Sequence, residues 1–239
     1  MSATRPSLEG VHLALDAATH GASVAVARGP DVLARVALDH RAEHAARLVP
    51  AIADALARAG LTPAGLAGVV VGEGPGSFTG VRVAAATAKG LTRALSIPLW
   101  AVSSLAGEAL AWESASGPPS IRYALFDARA DRVYGACYAV DESSVRTLIA
   151  PHAGTVGELA GRDVPAGAVF LGDAAQRHRA LLEAGGYTVA PRPSGVHPHD
   201  GSLAVGLLRY LRLSPDPAPV ADPGTWEPAY LRDSVAVPA

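Results

Sequence analysis

The sequence is short of several residue types, and each shortage excludes a class of protein. Only one cysteine, Cys137, stands among the 239 residues, so neither an internal disulfide nor a cysteine-based zinc site is available. Charged residues make up 18% of the chain and hydrophobic residues 49%, a balance that excludes a disordered chain. The formal net charge of -2 argues against an autonomous nucleic-acid binder, which needs a dense basic face.

Long apolar runs are also missing. The chain contains no run of about 18 uninterrupted apolar residues, and residues 1–10 contain no apolar segment typical of a signal peptide. We therefore expect no membrane span and a reducing, cytoplasmic location. The basic residues include a single lysine, Lys89, and the others are all arginines, which we ascribe to codon bias.

The order of apolar patterns indicates an α/β protein. Three short strands joined by turn residues predict an antiparallel meander, and two helices and two further strands follow it. Pro50 is expected to kink or split the first of these helices. The predicted strands span residues 11–16, 22–28, 32–38, 66–71 and 98–102, and the predicted helices span 41–59 and 81–95.

The second part of the chain repeats a weaker version of this beginning. Its predicted strands span residues 121–127, 132–140, 144–150 and 167–171, and its predicted helices span 173–184 and 202–213. The Ser-, Gly- and Pro-rich stretch 114–120 is typical of a linker. We therefore expect an N-terminal subdomain at 1–113 and a C-terminal subdomain at 114–239, with the last helix and tail packing back on the first.

A glycine-rich loop at 72–80, Gly-Glu-Gly-Pro-Gly-Ser-Phe-Thr-Gly, stands between a predicted buried strand and a predicted helix. Glycines let a backbone turn sharply and approach a partner closely, and a helix that follows such a loop offers amides to an anion. The loop matches neither a Walker A motif nor G-x-G-x-x-G. An anion site, with Gly76, Ser77, Thr79 and Gly80 as candidates, and a tight turn without a ligand are both consistent with it.

Two aspartates, Asp16 and Asp127, each end the first strand of one half. Two such carboxylates across a cleft can orient a metal-bound nucleotide and a water molecule. The simpler interpretation is that each aspartate only forms a turn.

Histidines and the cysteine offer weaker candidates. His40 and His44 are four residues apart and share a face if helical, as zinc ligands require, but a third ligand is not evident. His197 and His199 lie in a Pro- and Gly-rich stretch, and surface histidines are the simpler interpretation of all four. Cys137 lies in a strand pattern and is expected to be a buried, inert thiol.

The two predicted N-terminal helices carry more apolar surface than one sheet needs. Small residues follow the glycine loop at Ala84, Ala85 and Ala88, and the preceding helix is apolar around much of its circumference. Packing against the home sheet and an interface with another subunit are the two alternatives, and we favour a helical interface with another subunit.

Five segments together resemble the TsaB (YeaZ) family, the bacterial partner proteins of tRNA threonylcarbamoyladenosine synthesis. The most specific is G-P-G-S-F-T-G-V-R at 74–82, and the others lie at 13–19, 44–52, 125–134 and 227–232. The resemblance implies the actin-like, sugar-kinase and Hsp70-like ATPase (ASKHA) fold with two related α/β subdomains. It also implies a non-catalytic protein, because Ser103 and Gly107 stand where the related catalytic subunit, TsaD, has the two metal-binding histidines of its H-x-x-x-H motif.

The resemblance further implies partners and a site. A heterodimer with TsaD, which TsaE joins, would form through the two N-terminal helices, and self-association as a homodimer would use the same helices. Contact with tRNA would be only indirect, through the complex. The residues that this assigns to the partner interface are His44, Leu48, Ile52, Arg82, Ala84, Ala85 and Ala88.

Nucleotide-binding relatives of this fold place phosphate loops after the first strand of each half, which correspond here to 16–19 and 127–130, with an adenosine-side stretch at 172–173. The residues that would face a nucleotide are therefore Asp16, Thr19, Asp127, Gly172 and Asp173, together with the glycine loop. The first loop has little hydroxyl or amide character, so we expect ATP or ADP to bind weakly or not at all and expect no other cofactor or metal. A kinase or ATPase of the same fold and, less favoured, a metallopeptidase are the alternative functions.

Overall fold

The computed structural model describes residues 9–38, 44–112, 120–160, 164–191, 202–215 and 217–231. Most of the predicted linker lies outside these residues, as do His40, His197 and His199. Among the described residues, no helix has the length and apolar character needed to cross a membrane.

The first half is built on a five-stranded sheet with the order β3-β2-β1-β4-β5. The three N-terminal strands form the predicted antiparallel meander, while β4 pairs parallel with β1 and with β5. Strand β4 is apolar throughout because helices cover both faces of the sheet. The strands are β1 (Val11–Asp16), β2 (Ala22–Arg28), β3 (Asp31–Leu38), β4 (Leu66–Gly72) and β5 (Leu99–Val102).

Three helices belong to the first half: α1 (His44–Arg58), α2 (Phe78–Leu95) and α3 (Ser104–Ala111). The expected split at Pro50 is wrong, because α1 continues through this proline as one helix. Pro50 and Ala46 are exposed, so water can satisfy the Ala46 carbonyl that loses its partner. The burial of Leu48 and Ile52 on the opposite side holds the helix against the sheet.

The second half repeats the first in its topology. Its sheet has the order β10-β9-β6-β7-β8, in which three antiparallel strands are again followed by a strand parallel to the first. The strands are β6 (Ser120–Arg129), β7 (Arg132–Val140), β8 (Val145–Thr155), β9 (Val169–Leu171) and β10 (Thr188–Val189). The helix predicted over 173–184 is divided at His178, so the helices are α4 (Val156–Ala160), α5 (Asp173–Arg177), α6 (Arg179–Ala184) and α7 (Ser202–Leu213).

One apolar core joins the two halves. It includes Ala14 and Val70 from the first sheet, Ala124 and Tyr138 from the second, and the buried side of α7, including Leu207. Helix α7 therefore packs both against α3 and against the first sheet, although it follows the second sheet in the chain. Cys137 is fully buried, as predicted, and burial raises the pKa of its thiol to about 11, which leaves it protonated and unreactive.

Candidate functional site

The glycine-rich loop connects β4 directly to α2. Ser77 is the N-cap of α2, and its hydroxyl oxygen accepts a hydrogen bond from the Gly80 amide at 3.3 Å. Gly74 has a φ of +94°, a conformation that residues with side chains rarely adopt. Phe78 and Thr79 are exposed on the first turn of the helix. The cap explains why α2 begins at residue 78, three residues before the predicted start.

Two glycines of this loop lie against the chain that follows β1. A Cβ atom on Gly76 would overlap the carbonyl oxygen of Ala18, and a Cβ atom on Gly80 would overlap that of Ala17. The Ser77 amide donates a hydrogen bond to the same Ala18 oxygen at 2.6 Å. This close backbone packing accounts for both glycines without a bound anion.

Asp16 lies beneath the glycine loop and is only 1% exposed. Its Oδ1 accepts a hydrogen bond from the Ala18 amide at 2.7 Å, and its Oδ2 accepts one from the Ser104 hydroxyl at 2.5 Å. Burial raises the pKa of Asp16 to about 6, although both hydrogen bonds oppose the rise. A Cβ atom on Gly72 would overlap the same Oδ2, so the carboxylate packs directly against the loop.

The hydrogen bonds of Ser104 show what Asp16 does in the fold. Ser104 is fully buried, and its hydroxyl oxygen also accepts a hydrogen bond from the Gly74 amide at 3.2 Å. The Ser104 amide donates to the Gly74 carbonyl oxygen at 2.8 Å. Asp16 and Ser104 therefore tie β1, the glycine loop and α3 together. Sequence analysis missed Ser104, because a serine after a short strand forms no recognisable pattern.

Asp127 has different partners in the second half. Its Oδ2 pairs with Arg177 at 2.9 Å, and its Oδ1 accepts a hydrogen bond from the Arg129 amide at 2.8 Å. The Asp127 amide donates to Asp173 Oδ1 at 3.0 Å. Asp16 and Asp127 therefore have different hydrogen-bond partners, each within its own half of the chain.

Asp173 begins α5 and lies close to the first half. Burial raises the pKa of Asp173 and the charge of Asp127 adds to the rise, whereas two amide hydrogen bonds and nearby His20 lower it. Gly172, with a φ of +100°, brings the chain so close to β6 that a Cβ atom would overlap a backbone oxygen there. The structure thus brings Asp127, Gly172 and Asp173 together, while Thr19 is buried in the loop after β1.

Most residues assigned to the partner interface lie inside the chain's own core. Three of them are fully buried, namely Leu48, Ala84 and Ala88. The other two, Ile52 and Ala85, are 4% exposed. Their burial conflicts with the prediction that these five side chains meet a partner. The conflict has a physical reason: they form the stripe that packs α1 and α2 on the first sheet.

Of the other two assigned residues, Arg82 is exposed, and the side chain of His44 lies outside the described part. The opposite, solvent-facing side of the two helices is small and uncharged at its centre. This outer face is defined by Ala46, Val49, Pro50, Ala53 and Ala57 on α1 and by Ala86, Gly90 and Ala94 on α2. Val49 is 59% exposed and lies among the other small apolar side chains of this face, and a contiguous apolar patch of this kind marks an interaction surface.

Helix α7 closely covers α3 at Gly107. A Cβ atom on Gly107 would lie 2.7 Å from Leu207 Cδ2, and a Cβ atom on Gly206 would overlap the Gly107 carbonyl oxygen. The two helices thus cross with their backbones in contact at a pair of glycines. A larger side chain at residue 107 would force Leu207 and Leu203 of α7 to move. No group of three histidine, cysteine or acidic side chains that could hold a metal ion occurs among the described residues.

Three known proteins are similar to this chain over most of their length. An uncharacterized protein of Mycobacterium tuberculosis is 35% identical over 231 residues, which is 95% of this chain and 93% of the relative. The Bacillus subtilis tRNA threonylcarbamoyladenosine biosynthesis protein TsaB is 31% identical over 175 residues, 72% of this chain and 74% of the relative. The structure of YeaZ from Pseudomonas aeruginosa matches with a TM-score of 0.72 and 28% identity, over 93% of this chain and 100% of that chain.

The duplicated sheet topology, with helices packed on both sheets, defines an α/β protein of the ASKHA fold class. A sequence profile described as "TsaD: tRNA N6-adenosine threonylcarbamoyltransferase" matches residues 32–200. Together with the relatives above, this match shows that the chain belongs to the TsaB/YeaZ family, with a role in tRNA threonylcarbamoyladenosine biosynthesis. The fold class and the family expected from the sequence are both confirmed.

Proposed function

We propose that this chain is a non-catalytic subunit that binds and activates a TsaD-type catalytic protein. The complex, which a TsaE-type protein joins, transfers a threonylcarbamoyl group to the adenosine next to the anticodon in tRNA, and it works in the cytoplasm. The profile match to TsaD and the similarity to TsaB proteins support this assignment.

The observation that carries the proposal is the packing at Gly107. Ser103 and Gly107 stand where the resemblance places the two metal-binding histidines of the catalytic subunit. Leu207 and Leu203 of α7 fill the space in front of Gly107, so an imidazole there would require both leucine side chains to move. The chain thus uses this position to pack two helices, which supports a structural role instead of a metal-dependent one.

The arrangement of Asp16 supports the same conclusion. A carboxylate that orients a metal-bound nucleotide needs oxygen lone pairs that face a cleft. Both Asp16 oxygens accept hydrogen bonds from within the chain, and Gly72 closes over one of them. A kinase or ATPase function is therefore the weaker proposal for this chain.

The outer face of α1 and α2 is the surface that we assign to the partner. Its small side chains allow a second pair of helices to approach closely, as in a four-helix bundle. Self-association as a homodimer through the same face is the competing state when no partner is present.

Reconstitution of the reaction tests the proposal. The mixture contains threonine, bicarbonate, ATP, tRNA, the adenylate-forming enzyme and the TsaD- and TsaE-type proteins, and modified adenosine is measured by mass spectrometry. We expect no product from this chain without the TsaD-type protein, and a large increase when both are present. Product formed by this chain alone would make it the catalyst, and an unchanged yield without this chain would exclude it as an activator.

A pair of matched variants tests the assigned surface. Ala53 is exposed on the outer face of α1, and Ala180 is exposed on α6 in the second half. Ala53→Glu should abolish co-purification with the TsaD-type protein, because it buries an unpaired charge in the complex. Ala180→Glu should leave co-purification unchanged. Circular dichroism spectra that match the wild type establish that both variants are folded, and equal behaviour of the two variants would place the interface elsewhere.

A further inference from the structure

An exposed cluster of two aromatic rings and an arginine lies at the beginning of α2. The guanidinium carbon of Arg82 is 3.6 Å from the centre of the Phe78 ring and 5.4 Å from that of Tyr230. Arg82 Nε donates a hydrogen bond to the Tyr230 hydroxyl at 2.9 Å. Phe78 is 57% exposed and Tyr230 is 41% exposed, and they are the only large aromatic side chains of the described residues on the surface to this extent.

Tyr230 reaches this cluster through a C-terminal strap, residues 217–231, which crosses the first half. The Val220 amide donates to the Leu99 carbonyl oxygen at 2.7 Å, so the strap begins on the edge strand β5. Lys89 of α2 donates to the Gly224 carbonyl oxygen at 3.3 Å. The Ala229 amide donates to the carbonyl oxygen of Glu73 in the glycine loop at 3.0 Å. Tyr230 is therefore held over α2 by backbone hydrogen bonds on the strap.

The charge of α1 and α2 differs from that of the whole chain. Their basic residues are Arg47, Arg58, Arg82, Lys89 and Arg93, whereas Asp54 is their single acidic residue and already pairs with Arg58. The chain as a whole has a net charge of -2. Among the described residues, Arg82 contacts aromatic rings and a hydroxyl group but forms no ion pair with a carboxylate.

We propose that the strap completes the partner-binding face, and that Arg82, held between Phe78 and Tyr230, binds a carboxylate of the TsaD-type partner. This inference rests on the proposed function and adds the residues that make binding of the partner specific. Aromatic residues and arginine are enriched at the centres of protein interfaces. Because the aromatic rings fix the guanidinium before binding, little side-chain entropy is lost when a carboxylate pairs with its two terminal nitrogens.

The composition of the face favours an acidic protein partner over the other occupants. A nucleic acid needs a dense row of basic side chains, whereas α2 has only three, Arg82, Lys89 and Arg93, which uncharged residues space well apart. A second copy of this chain would bring two basic helical pairs together, so like charges make a homodimer weaker than a complex with an acidic partner. An acidic surface on the partner satisfies both the charge of the helices and the exposed aromatic rings.

Three variants test the inference by measuring the dissociation constant of the complex with the TsaD-type protein at low and high salt. Arg82→Gln keeps a polar side chain but removes the guanidinium and its charge, and we expect binding to weaken about tenfold to a hundredfold. Tyr230→Ala should also weaken binding, because it removes the hydroxyl group and the ring that position Arg82. Arg146→Gln, an exposed arginine on β8, is the matched control and should bind within about twofold of the wild type.

The salt dependence provides a second readout. The wild-type dissociation constant should rise more steeply with salt than that of Arg82→Gln, because one charge pair is missing in the variant. If Ala53→Glu abolishes the complex while Arg82→Gln binds like the wild type, the proposed function survives and this inference fails. Equal weakening by Arg82→Gln and Arg146→Gln would also overturn it.

If RNA or a second copy of this chain binds the cluster instead, the measurements give different results. Loss of tRNA binding by the free Arg82→Gln variant, with unchanged affinity for the TsaD-type protein, would assign the cluster to RNA. A change confined to the monomer–dimer equilibrium in sedimentation would assign it to a second copy. Either result would overturn the inference.

Discussion

Replacement of Asp16 by asparagine should change how the stability of the protein depends on pH. The wild-type carboxyl group is buried between the Ala18 amide and the Ser104 hydroxyl and packs against Gly72. Asparagine keeps an oxygen that can accept the Ala18 hydrogen bond, but it does not titrate. The variant therefore imitates the protonated form of Asp16 at every pH.

The expected magnitude follows from the pKa of Asp16, which burial raises from 3.8 to about 6. Between these pH values the folded protein binds the proton more tightly than the unfolded chain does, so the free energy of unfolding decreases as pH rises. The stabilisation is fully present below the unfolded pKa and is lost above the folded pKa. A difference of about two pKa units corresponds to about 3 kcal/mol.

Urea unfolding of both proteins between pH ~4 and pH ~7 measures this effect. The stability of Asp16→Asn relative to the wild type should increase by about 2.5 kcal/mol over this range, because the unfolded carboxyl group is already partly ionised at pH ~4. The new amide group that faces Ser104 adds a difference in the free energy of unfolding that does not change with pH. Asp54→Asn, at an exposed carboxylate on α1, is the control and should give no comparable change. Parallel curves for Asp16→Asn and the wild type would refute the reasoning.

Three further predictions concern close packing at two glycines and a buried histidine. Gly72→Ala should destabilise the protein by about 3 kcal/mol or more, because its Cβ would overlap Asp16 Oδ2, and Asp16→Ala should restore part of the loss in a double-mutant cycle followed by urea unfolding. Gly206→Ala should lower the melting temperature by at least about 4 °C, because its Cβ would overlap the Gly107 carbonyl oxygen. Burial lowers the pKa of His12, so stability should fall as pH drops below about 6.5, and His12→Gln should flatten this acid limb in the same unfolding measurements.

Most strands of each half were accessible from the sequence, because strand patterns and turn residues are local signals. Alternating or continuous apolar runs bounded by glycine and proline predicted the first three strands and their antiparallel pairing. The helix α3 was missed, since eight residues of small and apolar character show no clear period. The division at His178 was missed for a related reason, because the helical pattern continues across the break.

The interface residues were harder to predict than the helices that carry them. Helix α1 is apolar on two sides, so its sequence cannot show which side packs on the home sheet. The structure shows that the larger side chains, Leu48 and Ile52, face inward, and that the small residues Ala53 and Ala57 face outward. Size alone does not decide the orientation, because Val49 faces outward while Ala55 is buried, so contacts with the first sheet select the inward side.

Long-range contacts explain why the glycine loop could not be interpreted from its own sequence. Its glycines are required by Asp16 and by the backbone at Ala17 and Ala18, which come about 55 residues earlier and approach only because β1 pairs with β4. The same loop meets the C-terminal strap through Glu73. The loop therefore joins β1, α2, α3 and the strap, so the motif that identifies the family also positions Arg82 and Tyr230 at the end of the proposed partner face.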